Sequence, residues 1–155
     1  MVDAHHHVKL MADDKLTPDG KLVADGRELY DPRYLRGIAL FNNCEFFEAH
    51  DTWEDLWTEY RGPARKFYQG IIQAAVALYH FGNGNLRGAK KVFLTSRNYL
   101  QAFQPFYLGL DLDSFLVQYE RCFAEILAHE EDSLSTAGIY LEIDPELIPE
   151  IQLFV

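Results

Sequence analysis

In the stretch EFFEAHDTWEDLW, residues 45–57, a histidine and a glutamate stand one helical turn apart among large aromatics. At that spacing His50 and Glu54 share one side of a helix. An imidazole beside a carboxylate supports three kinds of chemistry. It can ligate a divalent metal, act as an oriented general base, or complete a polar hydrogen-bond network. Further along, Gln69, Gln73 and His80 recur within a largely apolar segment. On a helical wheel they fall within about 40° of each other.

Helices must position these groups. Asp31 followed by Pro32 is an N-cap and first-position pair, and Tyr34, Leu35, Ile38 and Phe41 follow at helical spacing. Asn42–Asn43 breaks that helix. A second helix is expected from about Cys44 to Tyr60, with Phe46, Ala49, Trp53, Leu56, Trp57 and Tyr60 inward. Glu48, Asp51, Asp55 and Glu59 form its solvated face. His50 and Glu54 flank the apolar stripe. The segment Arg61-Gly62-Pro63 turns the chain into a third helix reaching about Gly82. That helix is apolar around most of its circumference, as the centre of a bundle requires. Gly70 and Ala77 border its polar stripe and admit a close neighbour.

Asn85 and Gly88 shape a turn into a fourth helix, about Leu86–Phe103, which Pro105 stops. A fifth is expected from Asp113 or Ser114 to about Glu131, with His129 at its C-terminal end, where a cation is favourable. The fold class is therefore all-α: a single-domain multihelical bundle of about five helices over residues 31–132. Residues 1–30 read as a flexible or loosely docked arm, with a small hairpin around Lys21–Ala24. Residues 133–155 read as an extended apolar tail that packs on the bundle or on a partner subunit. The arm's His5, His6 and His7 form a tract that binds metal adventitiously or is an expression remnant.

The chain's 155 residues carry 24 acidic and 14 basic side chains, a formal charge of −10. That field disfavours nucleic acid and anionic membranes. No apolar run reaches the ~20 residues of a membrane span, and the N-terminus lacks the apolar core of a signal peptide. Cys44 and Cys122 form no Cys-x-x-Cys pair, which fits a reduced, cytoplasmic setting.

Helices two and three, joined by so short a turn, should be antiparallel neighbours. His50 then lies level with His80, and Glu54 with Gln73. Three readings of this seam stay open. His50, Glu54 and His80 could hold Zn, Fe or Mn with open coordination positions. His50 and Glu54 could be catalytic, as base and orienting group, without a metal. Or the cluster is a structural network, since a buried amide or imidazole without partners costs about 1–3 kcal/mol. Trp53, Trp57, Gln69, Gln73 and Asn85 are candidate pocket residues. Arg65 is placed to pair with an acid of the second helix.

The segments FNNCEFFEAHDTWEDLW and FYQGIIQAAVALYHFGNGNLRGA resemble the family called domain of unknown function 309, over about residues 31–105. Its pattern falls on Phe47, Glu48, His50, Glu54, Trp57, Gln69, Gly70, Gln73, His80, Asn85 and Gly88. Asp51 stands where a glutamate is commoner. The resemblance implies a multihelical fold and no particular activity. It also adds Glu48, solvated on the wheel, to the pocket candidates. Two functions follow as expectations. One is a pocket between helices two and three for a metal ion or small polar ligand, with metal-dependent catalysis left open. The alternative is a non-catalytic interaction or assembly module, homo-oligomeric through its apolar tail.

Overall fold

The computed structural model describes residues 15–16, 21–24, 27–135 and 138–154, with the backbone alone up to residue 29. The histidine tract and most of the N-terminal arm lie outside the described residues. Within the arm, β1 (Lys15–Leu16), β2 (Lys21–Ala24) and β3 (Arg27–Tyr30) form an antiparallel sheet. Lys21 pairs with Tyr30 and Ala24 with Arg27, so the expected hairpin at Lys21–Ala24 is present and gains a further strand.

Helix α1 (Pro32–Asn42) starts as its sequence dictates. Asp31 is buried, and its carboxylate accepts from the Arg33 amide at 2.8 Å. Burial opposes the charge of Arg33, but hydrogen bonds and charges from Asp31 and then Glu59 outweigh it and raise the guanidinium pKa. Tyr34, Gly37, Ile38 and Phe41 form the buried stripe. Helix α2 (Phe46–Glu59) buries Phe46, Ala49, Trp53 and Leu56. Cys44, expected inside this helix, instead takes φ 62° in the connection before it. Helix α3 (Arg65–Gly82) buries residues on nearly every side, including Phe67, Tyr68, Ile71, Ala75 and Leu78. It is the central rod, with α2 on one flank and α4 (Leu86–Gln101) on the other.

The end of α4 leads into a hairpin that periodicity does not announce. Strands β4 (Phe106–Tyr107) and β5 (Leu110–Asp111) pair antiparallel across Leu108–Gly109. Both turn residues have positive φ, 46° and 77°, the sign that a two-residue hairpin turn needs to match strand twist. Helix α5 (Leu112–Cys122) then begins under the Asp111 cap. The expected single helix to Glu131 is corrected here: it breaks at Phe123, and only α6 (Ala124–Leu127) follows. Phe123 is fully buried against Phe81 and Phe93, so packing holds it at the break.

α1 and α5 cover one face of the α2–α3–α4 layer. Tyr34 packs on Tyr68, Phe41 on Phe115, and Phe93 on Tyr119. Burial raises the pKa of the Tyr34 and Tyr119 phenols well above the usual range. The tail lies over the same side. The Asn42 side chain clamps the Ile151 backbone, accepting from its N–H and donating to its carbonyl, each at 2.8 Å. Leu153 bridges to Leu110, and the Phe154 N–H donates to the Gly109 carbonyl at 2.7 Å. Among the described residues, no helix is long and apolar enough to cross a membrane.

Candidate functional site

α2 and α3 run antiparallel, as their short connection requires. At one end Arg65 of α3 donates to the carbonyls of Trp57 and Tyr60 at the end of α2. At the other, Phe47 near the start of α2 meets Tyr79 near the end of α3, with ring centroids 5.5 Å apart. The seam between them is not a closed interior gap. Gln69, Gln73, Val76 and His80 are all half-buried, a continuous line on the outer side of α3. On α2, His50 and Trp57 are half-buried, while Phe47, Glu48 and Glu54 are exposed. The expected polar row is real, but it lies along a surface. A helical wheel gives the angle of a side chain. It does not say whether a further element covers it.

His50 is 21% exposed. Its Nε2 stands 3.4 Å from Glu54 Oε2, and its Nδ1 stands 3.5 Å from Asp51 Oδ1, without hydrogen-bond geometry at Nδ1. Both carboxylates are largely exposed, so solvent screens the pairs to about 0–1 kcal/mol each. His80 does not join them in a ligand set. Its Nδ1 lies 3.3 Å from Asn85 Nδ2, and the contacts from His50 to it pass through the rings of Phe47 and Tyr79. Among the described residues, no group of three or more His, Cys, Asp or Glu is arranged to hold a metal ion.

The remaining candidates separate cleanly. Trp53 is fully buried, and its Nε1 donates to the Tyr34 carbonyl at 3.1 Å. It fixes α1 on α2 and does not reach the seam. Trp57 turns outward, and the Arg65 guanidinium lies 3.8 Å from its ring centroid. Arg65 thus pairs with a ring and two carbonyls, where the sequence suggested an acid. Asn85 caps α4, accepting from the Gly88 N–H at 3.1 Å. Gly70 seats α4: a Cβ there would come within 2.7 Å of Leu100. His50 Nδ1, Trp57 Nε1 and Gln73 Oε1 are buried atoms with no hydrogen-bond partner. Native proteins keep few such atoms.

Residues 34–92 match the family described as Domain of unknown function (DUF309). The match covers most of α1, all of α2 and α3 and the start of α4, and with them every family-pattern residue from Phe47 to Gly88. An uncharacterized protein, YpuF of Bacillus subtilis (strain 168), is 40% identical over 70 residues, 44% of this chain and 40% of its own length. An uncharacterized protein of Aquifex aeolicus (strain VF5) is 31% identical over 74 residues, 44% of this chain and 22% of its own. The chain spans less than half the length of either relative. Within the DUF309 segment, the pattern residues Phe47, His50, Glu54, Trp57, Gln69, Gln73, His80 and Asn85 are at least partly exposed. Gly70 packs inward.

Sequence reasoning missed Tyr79, which it placed in the apolar circumference of α3. Tyr79 is 40% exposed and Phe47 47%. Two large rings packed on each other at 46° in the open are the signal, and only the pairing of the helices reveals it.

Proposed function

We propose that the chain is a recognition module whose working surface is the outer side of α2 and α3. The observation that carries this reading is the exposed Phe47–Tyr79 ring pair. It is continuous with the half-buried His50, Gln73 and His80 line. Aromatic rings held on helices supply contact area at low entropic cost. A polar row beside them supplies direction.

A second reading, a small polar ligand in the same seam, is favoured by the unpaired Trp57 N–H and Gln73 carbonyl. They offer one donor and one acceptor. Catalysis by His50 with Glu54 has their 3.4 Å approach in its favour, while the exposed ring pair favours recognition over it. A metal would find two donors in that pair, one fewer than open protein sites provide.

The test places a photo-reactive benzoylphenylalanine at Tyr79, at Phe47 or, as a control, at Val117, which is exposed on α5. Illumination in the producing cell should give the same adduct from positions 79 and 47 and none from 117. No adduct at the first two, or equal adducts at all three, would overturn the reading.

A further inference from the structure

An open groove of about 550 Å³ lies at one end of this face, between the start of α2, the end of α3 and the tail. Phe46 and Leu78 form its buried floor. Phe47 and Tyr79 stand over it, and Ile143 and Ile148 of the tail make the far wall. The rim is acidic. Glu45 and Glu48 line it, no Lys or Arg among the described residues does, and Asp144 follows Ile143 directly in the chain. Glu48 has no ion pair among the described residues. Further along α2, Asp51 about one turn on and Glu54 about two extend the same sign.

We propose that this groove takes an amphipathic segment of another protein that carries lysine or arginine beside apolar anchors. The proposal rests on the recognition reading above and names the partner's chemistry. Apolar side chains of such a segment enter over Phe46 and Leu78, where their burial drives binding. Its cations meet the rim carboxylates and the exposed faces of Phe47 and Tyr79. Charge complementarity selects this occupant over the others. A second copy presents the same carboxylates on a chain of net charge −10, so two rims repel. An anionic lipid surface is repelled likewise. An acidic peptide has the anchors without the attraction.

The probe is a short synthetic peptide with leucine and lysine at helical spacing, labelled with fluorescein. It is titrated with the full chain by anisotropy, and its position is mapped by amide shift changes. A glutamate-for-lysine peptide is the comparison. Tyr79→Ser should weaken binding by about tenfold, the loss typical of an interface anchor, and Glu48→Lys by about as much, because it sets a like charge against the lysines of the peptide. Asp113→Lys makes the same charge change at the start of α5 and should leave binding within about twofold, because rim contacts and not net charge dominate. Asp113 bonds Gln104, beyond the end of α4, where Phe103 packs on Phe67 at the start of α3. Shift changes should fall on Phe47, Tyr79 and Ile148.

Equal loss in Glu48→Lys and Asp113→Lys, equal binding of the glutamate peptide, or shift changes elsewhere would overturn the groove. Absent peptide binding with a shared cross-linked partner at 47 and 79 overturns the partner's chemistry and leaves the recognition face standing. Absence of both overturns both.

Discussion

Gly37 sits on α1 beneath Trp53 of α2, and replacing it by alanine separates two opposed effects. A Cβ at Gly37 would lie 2.0 Å from Trp53 Nε1 and 2.3 Å from Cδ1. The indole has nowhere to go. It is fully buried, packed at a tilt on Phe41, and its Nε1 donates to the Tyr34 carbonyl. Overpacking of this kind costs about 1–3 kcal/mol. Breaking the indole hydrogen bond while the N–H stays buried costs about 1–3 kcal/mol more. Against that, alanine in a helix interior is favoured over glycine by about 1 kcal/mol. The net expectation is destabilisation by about 3 kcal/mol, against a total of about 5–15 kcal/mol for a domain. Urea unfolding followed by tryptophan fluorescence reads it directly. With a slope of about 1–3 kcal/mol per molar, the midpoint of Gly37→Ala should fall by about 1–3 M. An unchanged midpoint, or one raised as helix propensity alone requires, would refute the packing argument.

Three further outcomes follow from the same contacts. Cys44 is exposed and Cys122 is buried, its thiol pushed up to about 12 by burial and then by Asp144. One thiol should react quickly with a disulfide reagent at neutral pH and the other only on unfolding, and Cys44→Ser should abolish the fast phase. Two fast thiols would contradict the packing of α5. Since an unfolded thiol ionises near 8.5, the Cys122 contribution to stability is complete below that pH. It is lost as pH rises towards 12. Asn42→Ala removes both clamps on Ile151 and should cost about 1–3 kcal/mol. Loss of amide-exchange protection should be confined to the tail, and unchanged protection at Ile151 would show that the clamp is idle. Gln73→Leu removes the unpaired Oε1 and should raise stability by about 1 kcal/mol. A lower melting temperature would instead make Gln73 part of a satisfied network.

The start of α1 was legible because Asp31 and Pro32 are a local signal that acts within one turn. The centrality of α3 was legible because few helices are apolar on so many sides. The β4–β5 hairpin was hidden. Its strands have two residues each, too few for alternation, and Leu108 is an unusual choice at positive φ. The break at Phe123 was hidden too, because neither glycine nor proline marks it and the apolar period continues through it. For the site, the order of motif residues was readable along the chain. The contact of Phe47 with Tyr79 and the inward turn of Trp53 against the outward turn of Trp57 were not. Those are set by how one helix rolls against the next, which depends on side chains from three elements at once.

That roll is what joins the core to the proposed site. Gly37 lets the indole of Trp53 sit against α1, and Gly70 lets Leu100 and Tyr99 of α4 close on α3. Each is a point of near backbone contact that one methyl would pry open. Together they fix α2 against α1 and α4 against α3. With Trp53 turned inward, His50 three residues before it and Trp57 four after it lie about 40–60° round the helix, half-buried on the flank of the apolar stripe that borders the outer face. The ring pair and the polar row are therefore held by the core beneath them, which lowers the entropy lost on binding. The tail is the wall of the groove with a different kind of support: Ile148 reaches it between the Pro145–Leu147 turn and the Asn42 clamp on Ile151. An occupant meets a rigid helical side and a side tethered by hydrogen bonds. Loosening the clamp should therefore change affinity through the far wall while Phe47 and Tyr79 stay where the core puts them.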